Sequence, residues 1–195
     1  MSIFTWQFFT ESKPTWESML YEMKKAKVSI DIEHYIFASD KIGGEFIEVL
    51  KEKVKQGVKV RLLLDMVGSS DFYYSKASQE LSKAGAEVKF WNVVSLWRIH
   101  NFTALFFRDH KKAVIVDNLV GFTGGLGIRD NMTNWLDVNA RLEGAVVQEM
   151  TASFNDMWKR VDEKGFVNRI KRYRKLVGSL NFITRETFFK NTFLS

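Results

Sequence analysis

The sequence predicts an α/β fold in which a mixed, mostly parallel sheet is flanked by helices on both faces. Three observations predict it. Strand and helix patterns alternate along the first 91 residues, and residues 58–67 are almost continuously apolar, as in a strand buried on both faces. Two short β-rich runs follow at 112–116 and 119–123. Such alternation places helices in crossover connections between parallel strands.

Length and composition fit one globular domain. The chain has 195 residues, 46% hydrophobic and 27% charged, which excludes wholesale disorder. It contains no cysteine, so disulfides, thiolate metal sites and cysteine nucleophiles are excluded. A net charge of +6 favours polyanionic partners, either nucleic acid or an anionic membrane surface. We find neither a membrane-spanning stretch nor a secretory signal in the sequence.

The first half of the chain alternates helix and strand patterns. Helices are predicted where apolar residues recur every three or four positions, and strands where they alternate or run together. In chain order, the predicted elements are a helix from Pro14, a strand over 27–37, a helix from Gly44 to Gly57, a strand over 58–67, a helix over 75–84 and a strand over 86–91. The strand order within the sheet cannot be read from these patterns.

The second half begins with an irregular segment over 92–109, whose length is typical of a functional loop. A hairpin is predicted next, its two strands joined by Asp117-Asn118. A strand over 136–142 and an amphipathic helix over 145–161 follow.

These elements predict one catalytic domain over 1–165. Residues 166–195 form a basic and then phenylalanine-rich tail, which faintly repeats the opening of the chain and suggests the start of a missing second half.

The residues of clearest chemical meaning lie in the stretch Arg-Asp-His-Lys-Lys-Ala-Val-Ile-Val-Asp, which ends at Asp117. Side chains two apart on a strand project from the same face, so His110 and Lys112 are expected to converge on one small ligand. A neutral imidazole can attack phosphorus while an ammonium offsets charge on the phosphate oxygens. Asp117 has the opposite parity and lies at the predicted turn, where it is expected to hold the hairpin or pair with a cation.

Two glycines, Gly124 and Gly125, follow the motif and allow backbone N–H groups to approach a phosphate closely. The joint pattern of His-x-Lys, four residues, Asp, six residues and Gly-Gly resembles the signature of the phospholipase D superfamily, and in particular the amino-terminal catalytic half of bacterial cardiolipin synthases. The likeness extends to the segments 32–37, 56–61, 65–68 and 135–144. It covers roughly residues 15–160.

The resemblance implies roles for individual residues. His110 would form a phosphohistidine intermediate or protonate the leaving alcohol, and Lys112 would hold the phosphate oxygens. Asp117 would complete the motif. Asp137 lies where the family places a carboxylate against the catalytic imidazole, with Glu143 as the alternative acid. No metal or other cofactor is implied.

In three respects the sequence departs from the family pattern. Gly127 stands where the family usually has a phosphate-binding asparagine, and Asn131 is the next asparagine along the chain. The family mechanism also needs two histidine motifs, whereas here His34 is expected to be structural and His100 lies in the irregular segment. A homodimer or a missing half would supply the second motif. The membrane-anchoring hairpin usual ahead of the catalytic region is not found in this sequence.

Three functions therefore stay open. The favoured one is a phosphatidyltransferase that makes cardiolipin from phosphatidylglycerol, with Phe106 and Phe107 meeting acyl chains or the bilayer surface. Such a protein would lie at the cytoplasmic face of the bacterial inner membrane, or otherwise in the cytoplasm. The second is a homodimeric nuclease or phosphodiesterase of the same superfamily. The third is an inactive, truncated half.

Overall fold

The computed structural model of the chain describes residues 5–92 and 108–162, which form a seven-stranded sheet with helices on both faces. The strands are β1 (Thr5–Glu11), β2 (Ser29–His34), β3 (Lys59–Asp65), β4 (Glu87–Trp91), β5 (Lys112–Val116), β6 (Val120–Gly124) and β7 (Leu136–Glu143). The helices are α1 (Ser12–Lys25), α2 (Lys41–Lys55), α3 (Ser70–Tyr73), α4 (Lys76–Ala84) and α5 (Ala145–Asp162), with a 3-10 helix at Asp130–Met132.

The strand order is β1-β7-β6-β5-β2-β3-β4. Strands β2, β3 and β4 pair in parallel through helical crossovers, as predicted. The pairings of β5 with β2, β6 with β5, β7 with β6 and β1 with β7 are antiparallel. The α/β class and the mixed sheet are thus confirmed, but antiparallel pairings outnumber parallel ones, so the prediction of a mostly parallel sheet was wrong. Of the four antiparallel pairings, β5–β6 and β6–β7 join consecutive strands, whereas β2–β5 and β1–β7 join strands far apart in the sequence, where no local pattern indicates direction.

The missed strand is β1, which pairs with β7 at the edge of the sheet. Six of its seven residues are exposed, so it has no alternation between buried and exposed positions. Periodicity is the sequence signal for a strand, and an edge strand with both faces in solvent does not carry it.

The two faces of the sheet pack against different helices. On one face, β-strand residues such as Ile32, Leu62 and Val114 join the side chains of α1, α2 and α4 in the main apolar core. Residues of opposite parity meet α5. Gly121 lies against Met150 and Val147, and the guanidinium of Arg61 lies 4.8 Å from the ring centroid of Phe154. Helices therefore cover both faces, as predicted.

The predicted turn at Asp117-Asn118 is confirmed. Both residues have positive φ angles, 54° and 56°, and the amide of Leu119 donates to the carbonyl of Val116. Asp117 and Asn118 are thus the central residues of a turn from Val116 to Leu119, and aspartate and asparagine tolerate the left-handed conformation that it requires.

The chain divides into two compact units, Met1–Met157 and Trp158–Ser195. The first unit contains the whole sheet. Of the second, the structure describes only the end of α5, so the predicted tail at 166–195 lies outside the described residues. Across residues 5–92 and 108–162, no helix combines the length and apolar character that a membrane span requires.

Candidate active site

The structure brings His110 and Lys112 together where β2 ends and β5 begins, at one end of two central strands of the sheet. The ring of His110, which is exposed, stacks on the ring of Tyr35 at a centroid distance of 4.2 Å and an interplanar angle of 14°. The Nζ of Lys112 lies 5.6 Å from the centroid of the same ring and donates to the carbonyl oxygen of His110 at 3.2 Å. Tyr35 thus gathers an imidazole and an ammonium around one aromatic surface.

Tyr35 is the site residue that sequence reasoning missed. It was counted only as an apolar member of a predicted strand, although it belongs to the segment 32–37 that carries the family resemblance. Its position follows from the pairing of β2 with β5, in which the amide of Tyr35 donates to the carbonyl of Lys111 at 3.1 Å. A contact between residues 75 positions apart has no local sequence signal.

The ammonium of Lys112 is half-buried, and its burial and the nearby carboxylates shift its pKa in opposite directions. Burial lowers its pKa, because the charged form loses hydration, while the carboxylates of Asp137 and Asp109 act in the opposite direction. His34 pairs directly with Lys112 across the two strands and is fully buried. Burial, and then the charge of Lys112, lower the pKa of His34 to about 3, so this second histidine stays uncharged at neutral pH.

Asp137 enters the cluster from β7, the strand predicted to supply the carboxylate. Its side chain lies directly against the Cα of Gly125, so closely that a Cβ there would overlap the carboxylate oxygens. A Cβ on Gly124 would likewise overlap the side chain of Asn139. The two glycines thus have a packing role, since they allow the backbone after β6 to approach Asp137 and Asn139. Their contact with a phosphate stays a prediction.

Asp117 is not part of this cluster, because it lies at the opposite end of β5 from Lys112. Its carboxylate accepts hydrogen bonds from the backbone amides of Lys27, Val28 and Ser29 at 2.9, 2.8 and 2.9 Å. Burial alone would raise the pKa of Asp117, but these donors outweigh it and the pKa is lowered. The placement supports the structural interpretation, in which Asp117 fastens the start of β2 to the hairpin turn.

Glu143, the alternative acid, lies at the opposite end of β7 from Asp137. There it accepts hydrogen bonds from Thr5 and pairs with Arg141 at 2.6 Å. The structure therefore brings Asp137, and not Glu143, into the neighbourhood of Lys112.

The departure at Gly127 has a steric explanation. A Cβ at this position would lie 2.6 Å from the Sδ of Met132 and 3.0 Å from the Cβ of Ile36, while its carbonyl accepts from the indole of Trp16 at 3.0 Å. A side chain at this position therefore requires Met132 to move and Ile36 to shift. Asn131 lies in the exposed part of the 3-10 helix. Phe106, Phe107 and His100 lie outside the described residues.

The segment before His110 is held by Asp65, the last residue of β3. The amide of Asp109 donates to Asp65 Oδ2 at 3.3 Å, and the Nη1 of Arg108 lies 3.7 Å from Asp65 Oδ1. Asp65 also accepts hydrogen bonds from the amides of Val67 and Gly68. Within residues 5–92 and 108–162, no group of three or more histidine, aspartate or glutamate side chains is arranged to hold a metal ion.

Comparison with known proteins shows the family to which the chain is related. A family model described as "Cardiolipin synthase, PLD-like domain" matches residues 19–158. A cardiolipin synthase of Clostridium perfringens (strain SM101 / Type A) is 32% identical over 177 residues, covering 85% of this chain and 35% of the relative. A cardiolipin synthase of Geobacillus kaustophilus is 35% identical over 159 residues, covering 76% and 30%. The chain thus spans about a third of the length of these relatives.

Solved structures agree in fold. NucT from Helicobacter pylori superposes with a TM-score of 0.61 at 15% identity, covering 80% of this chain and 97% of NucT. The phospholipase D family member Nuc from Salmonella typhimurium superposes with a TM-score of 0.57 at 20% identity, covering 82% and 95%. Taken with the family match over residues 19–158, these likenesses show that the chain belongs to the phospholipase D-like domain family of the cardiolipin synthases.

Proposed function

We propose that this chain supplies one catalytic half of a phosphatidyltransferase that makes cardiolipin from two molecules of phosphatidylglycerol. The observation that carries the proposal is the convergence of His110 and Lys112 on the ring of Tyr35. An exposed imidazole beside a cation suits attack on a phosphodiester, and the cardiolipin synthase relatives favour a lipid phosphodiester over other substrates.

The proposed reaction has two steps at phosphorus. An imidazole nitrogen of His110 attacks the phosphorus of one phosphatidylglycerol, so that an N–P bond forms and the bond from phosphorus to the glycerol headgroup oxygen breaks. The departing oxygen takes a proton from a general acid and leaves as glycerol. A headgroup hydroxyl of the second phosphatidylglycerol then attacks phosphorus and gives its proton to the conjugate base of the general acid, so that a P–O bond forms and the N–P bond to His110 breaks, which yields cardiolipin.

The neighbouring charges have complementary roles in this scheme. Lys112 offsets the charge that builds on the non-bridging oxygens of phosphorus. Asp137 opposes the loss of charge on Lys112, and its proposed second role, to orient the imidazole of His110, comes from the family resemblance. Asp117 contributes by holding the strand pairing on which both positions depend.

The general acid must come from a second motif. Among the described residues the other histidine, His34, is buried and uncharged, so it cannot exchange protons with a substrate. We propose that a second copy of the chain, or a second half of a longer polypeptide, supplies the other histidine and lysine.

An exposed apolar surface supports a peripheral membrane location. Leu136 and Val138 flank Asp137 on β7, and Phe8 and Trp6 lie farther along the same strand pair on β1, opposite Ala140 and Leu142, with 83, 62, 62 and 68% of their surfaces exposed. We refer to these four side chains as the β1–β7 surface. Indole and phenyl rings favour the interfacial region of a bilayer, so this surface fits the cytoplasmic face of the inner membrane.

The second candidate is a homodimeric nuclease or phosphodiesterase. NucT and Nuc share the fold of this chain over most of their length. The net charge of +6 also suits a nucleic acid substrate. An inactive half is the third candidate.

The decisive experiment incubates the purified chain with phosphatidylglycerol vesicles and separates the lipids by chromatography. We expect cardiolipin and free glycerol, and His110→Asn should reduce their formation by at least about 100-fold while the variant stays folded. Sedimentation should show that the active species contains two histidine–lysine sites.

Three results would each contradict a different part of this proposal. Degradation of DNA in the presence of a chelator, without cardiolipin, would favour the nuclease. Retention of activity by His110→Asn would remove His110 from the mechanism. An active monomer with one site would contradict the requirement for two motifs.

A further inference from the structure

A second group of charged side chains lies on the opposite face of the sheet from Lys112. Glu33 precedes His34 on β2 and therefore points to the other face, where 2% of its surface is exposed. Asp109, which precedes His110, is also buried, and its carboxyl group lies close enough to that of Glu33 for the two groups to share a proton. Two buried carboxyl groups thus meet directly behind the proposed nucleophile.

One lysine faces this pair. The Nζ of Lys111 lies 3.4 Å from Oε1 of Glu33 and donates to the hydroxyl of Ser153 on α5 at 3.0 Å. Lys111 therefore links β2, the start of β5 and the helix that covers this face. A pair of carboxyl groups with one cation is balanced when the carboxyl groups share one proton.

The shared proton belongs to Glu33. Burial, followed by the negative charge of Asp109, raises the pKa of Glu33 to about 8, although Lys111 acts in the opposite direction. At neutral pH the Glu33 carboxyl group is therefore largely protonated, which allows it to donate a hydrogen bond to the side chain of Asp109.

The carboxylate of Asp109 in turn shapes the backbone around His110. Its Oδ1 accepts a hydrogen bond from the amide of Lys111 at 3.2 Å, so the side chain of residue 109 closes a turn that encloses residue 110. On the other side, the amide of Asp109 donates to Asp65. The orientation of the His110 side chain relative to the backbone depends on this turn.

We propose that Glu33 is a positioning residue for His110. The hydrogen bond from its carboxyl group holds Asp109, whose turn sets the ring of His110 against Tyr35. The proposal rests on the proposed function only for the role of His110 as the nucleophile. The positioning itself concerns the folded chain and is measurable without a substrate.

The other charged side chains on this part of the sheet include an ion pair and a lysine on the next strand but one from β2. On the same face of β2 and β3, Asp31 and Arg61 form a tight ion pair with an Oδ1–Nε distance of 2.6 Å. Lys89 lies on β4, beyond Leu63, which pairs with Glu33. Asp109 and Lys111 are therefore the groups that act most directly on Glu33.

The test compares Glu33→Gln with Glu33→Ala, and with Glu87→Gln as a matched change at a half-exposed glutamate on β4. Glutamine keeps an uncharged donor to Asp109, while alanine removes it. The readout is the NMR shift of the His110 ring protons, which report stacking on Tyr35, followed between pH 7 and 10.

We expect the His110 signals of the wild-type chain to move with a midpoint near pH 8, as Glu33 loses its proton. Glu33→Gln should keep the stacked shift throughout and lose this transition. Glu33→Ala should show displaced signals at every pH, and Glu87→Gln should match the wild type.

The proposal is overturned if Glu33→Gln retains the transition, or if Glu33→Ala leaves the His110 ring in place. Should the alanine variant fail to fold, the glutamine variant decides the question alone. Because no lipid enters this measurement, a failure to form cardiolipin would reject the proposed function and leave the positioning role standing.

Discussion

At the scale of single residues, close packing decides which side chains the site admits. The Cα of Gly127 faces Met132 and Ile36, and the Cα of Gly125 faces the carboxylate of Asp137. Neither glycine has a positive φ angle, so their backbone conformations are open to other residues. It is the neighbouring atoms that require glycine at both positions.

Gly127→Asn tests this steric requirement. We expect it to lower the free energy of unfolding by about 1–3 kcal/mol in urea, because Ile36 cannot move without displacing the backbone. Gly44→Asn is the matched control, since a Cβ at Gly44 meets no atom within 4 Å. Equal stability of the two variants would show that position 127 has room for a side chain.

The motif shows how much of the site was predictable. The strand parity that groups His110 with Lys112 is local, and the structure places those two side chains together. Asp137 was placed by family resemblance. Tyr35 and Glu33 were not predicted as site residues, because their contacts with residues 109–112 arise only when β2 pairs with β5.

At the scale of elements, the pairing of β2 with β5 is fastened at its far end by Asp117. Three consecutive amides at the entrance to β2 donate to this carboxylate. No alternation or helical period encodes such a contact, although the turn itself was predicted from Asp117-Asn118. By contrast, helices α1, α2 and α4 were predicted because their apolar stripes are local.

Asp117→Ala should lower the free energy of unfolding by about 2–3 kcal/mol, because the three amides lose their acceptor. Asp117→Asn should lose less, since asparagine keeps one acceptor oxygen and tolerates the left-handed conformation. Urea unfolding of both variants at pH 7 measures the difference. A loss for alanine no greater than that for asparagine would argue against the capping role.

The same carboxylate predicts a pH dependence. Folding lowers the pKa of Asp117, so its contribution to stability is complete above the unfolded value of 3.8 and is lost as pH falls through the folded value. The stability difference between wild type and Asp117→Asn should therefore shrink below about pH 4. A constant difference down to pH 2 would contradict this assignment.

At the scale of the whole molecule, the described chain exposes apolar side chains next to a charged site. The β1–β7 surface lies on the strand that carries Asp137, with Phe8 opposite Ala140 and Trp6 opposite Leu142. Because β1 was missed, this surface was not predicted. The sequence instead pointed to Phe106 and Phe107, which lie outside the described residues.

Val138→Ser tests the membrane contact, with Val28→Ser as its control. The two valines are 62 and 68% exposed, but Val28 lies beside Asp117, at the other end of the sheet. We expect Val138→Ser to weaken binding to phosphatidylglycerol vesicles by about threefold to tenfold, as for the loss of roughly 1 kcal/mol of apolar transfer. Flotation of vesicles measures it. Equal binding by both variants would place the contact elsewhere.

The junction between β2 and β5 is where the parallel part of the sheet meets the antiparallel part. Tyr35 follows one of these strands, and Lys112 begins the other. A phosphate held between His110 and Lys112 would thus bind at the junction between the amino-terminal and carboxy-terminal portions of the fold and connect them. Occupancy would resist separation of those portions, so that heat resistance of the protein should increase with phosphate concentration.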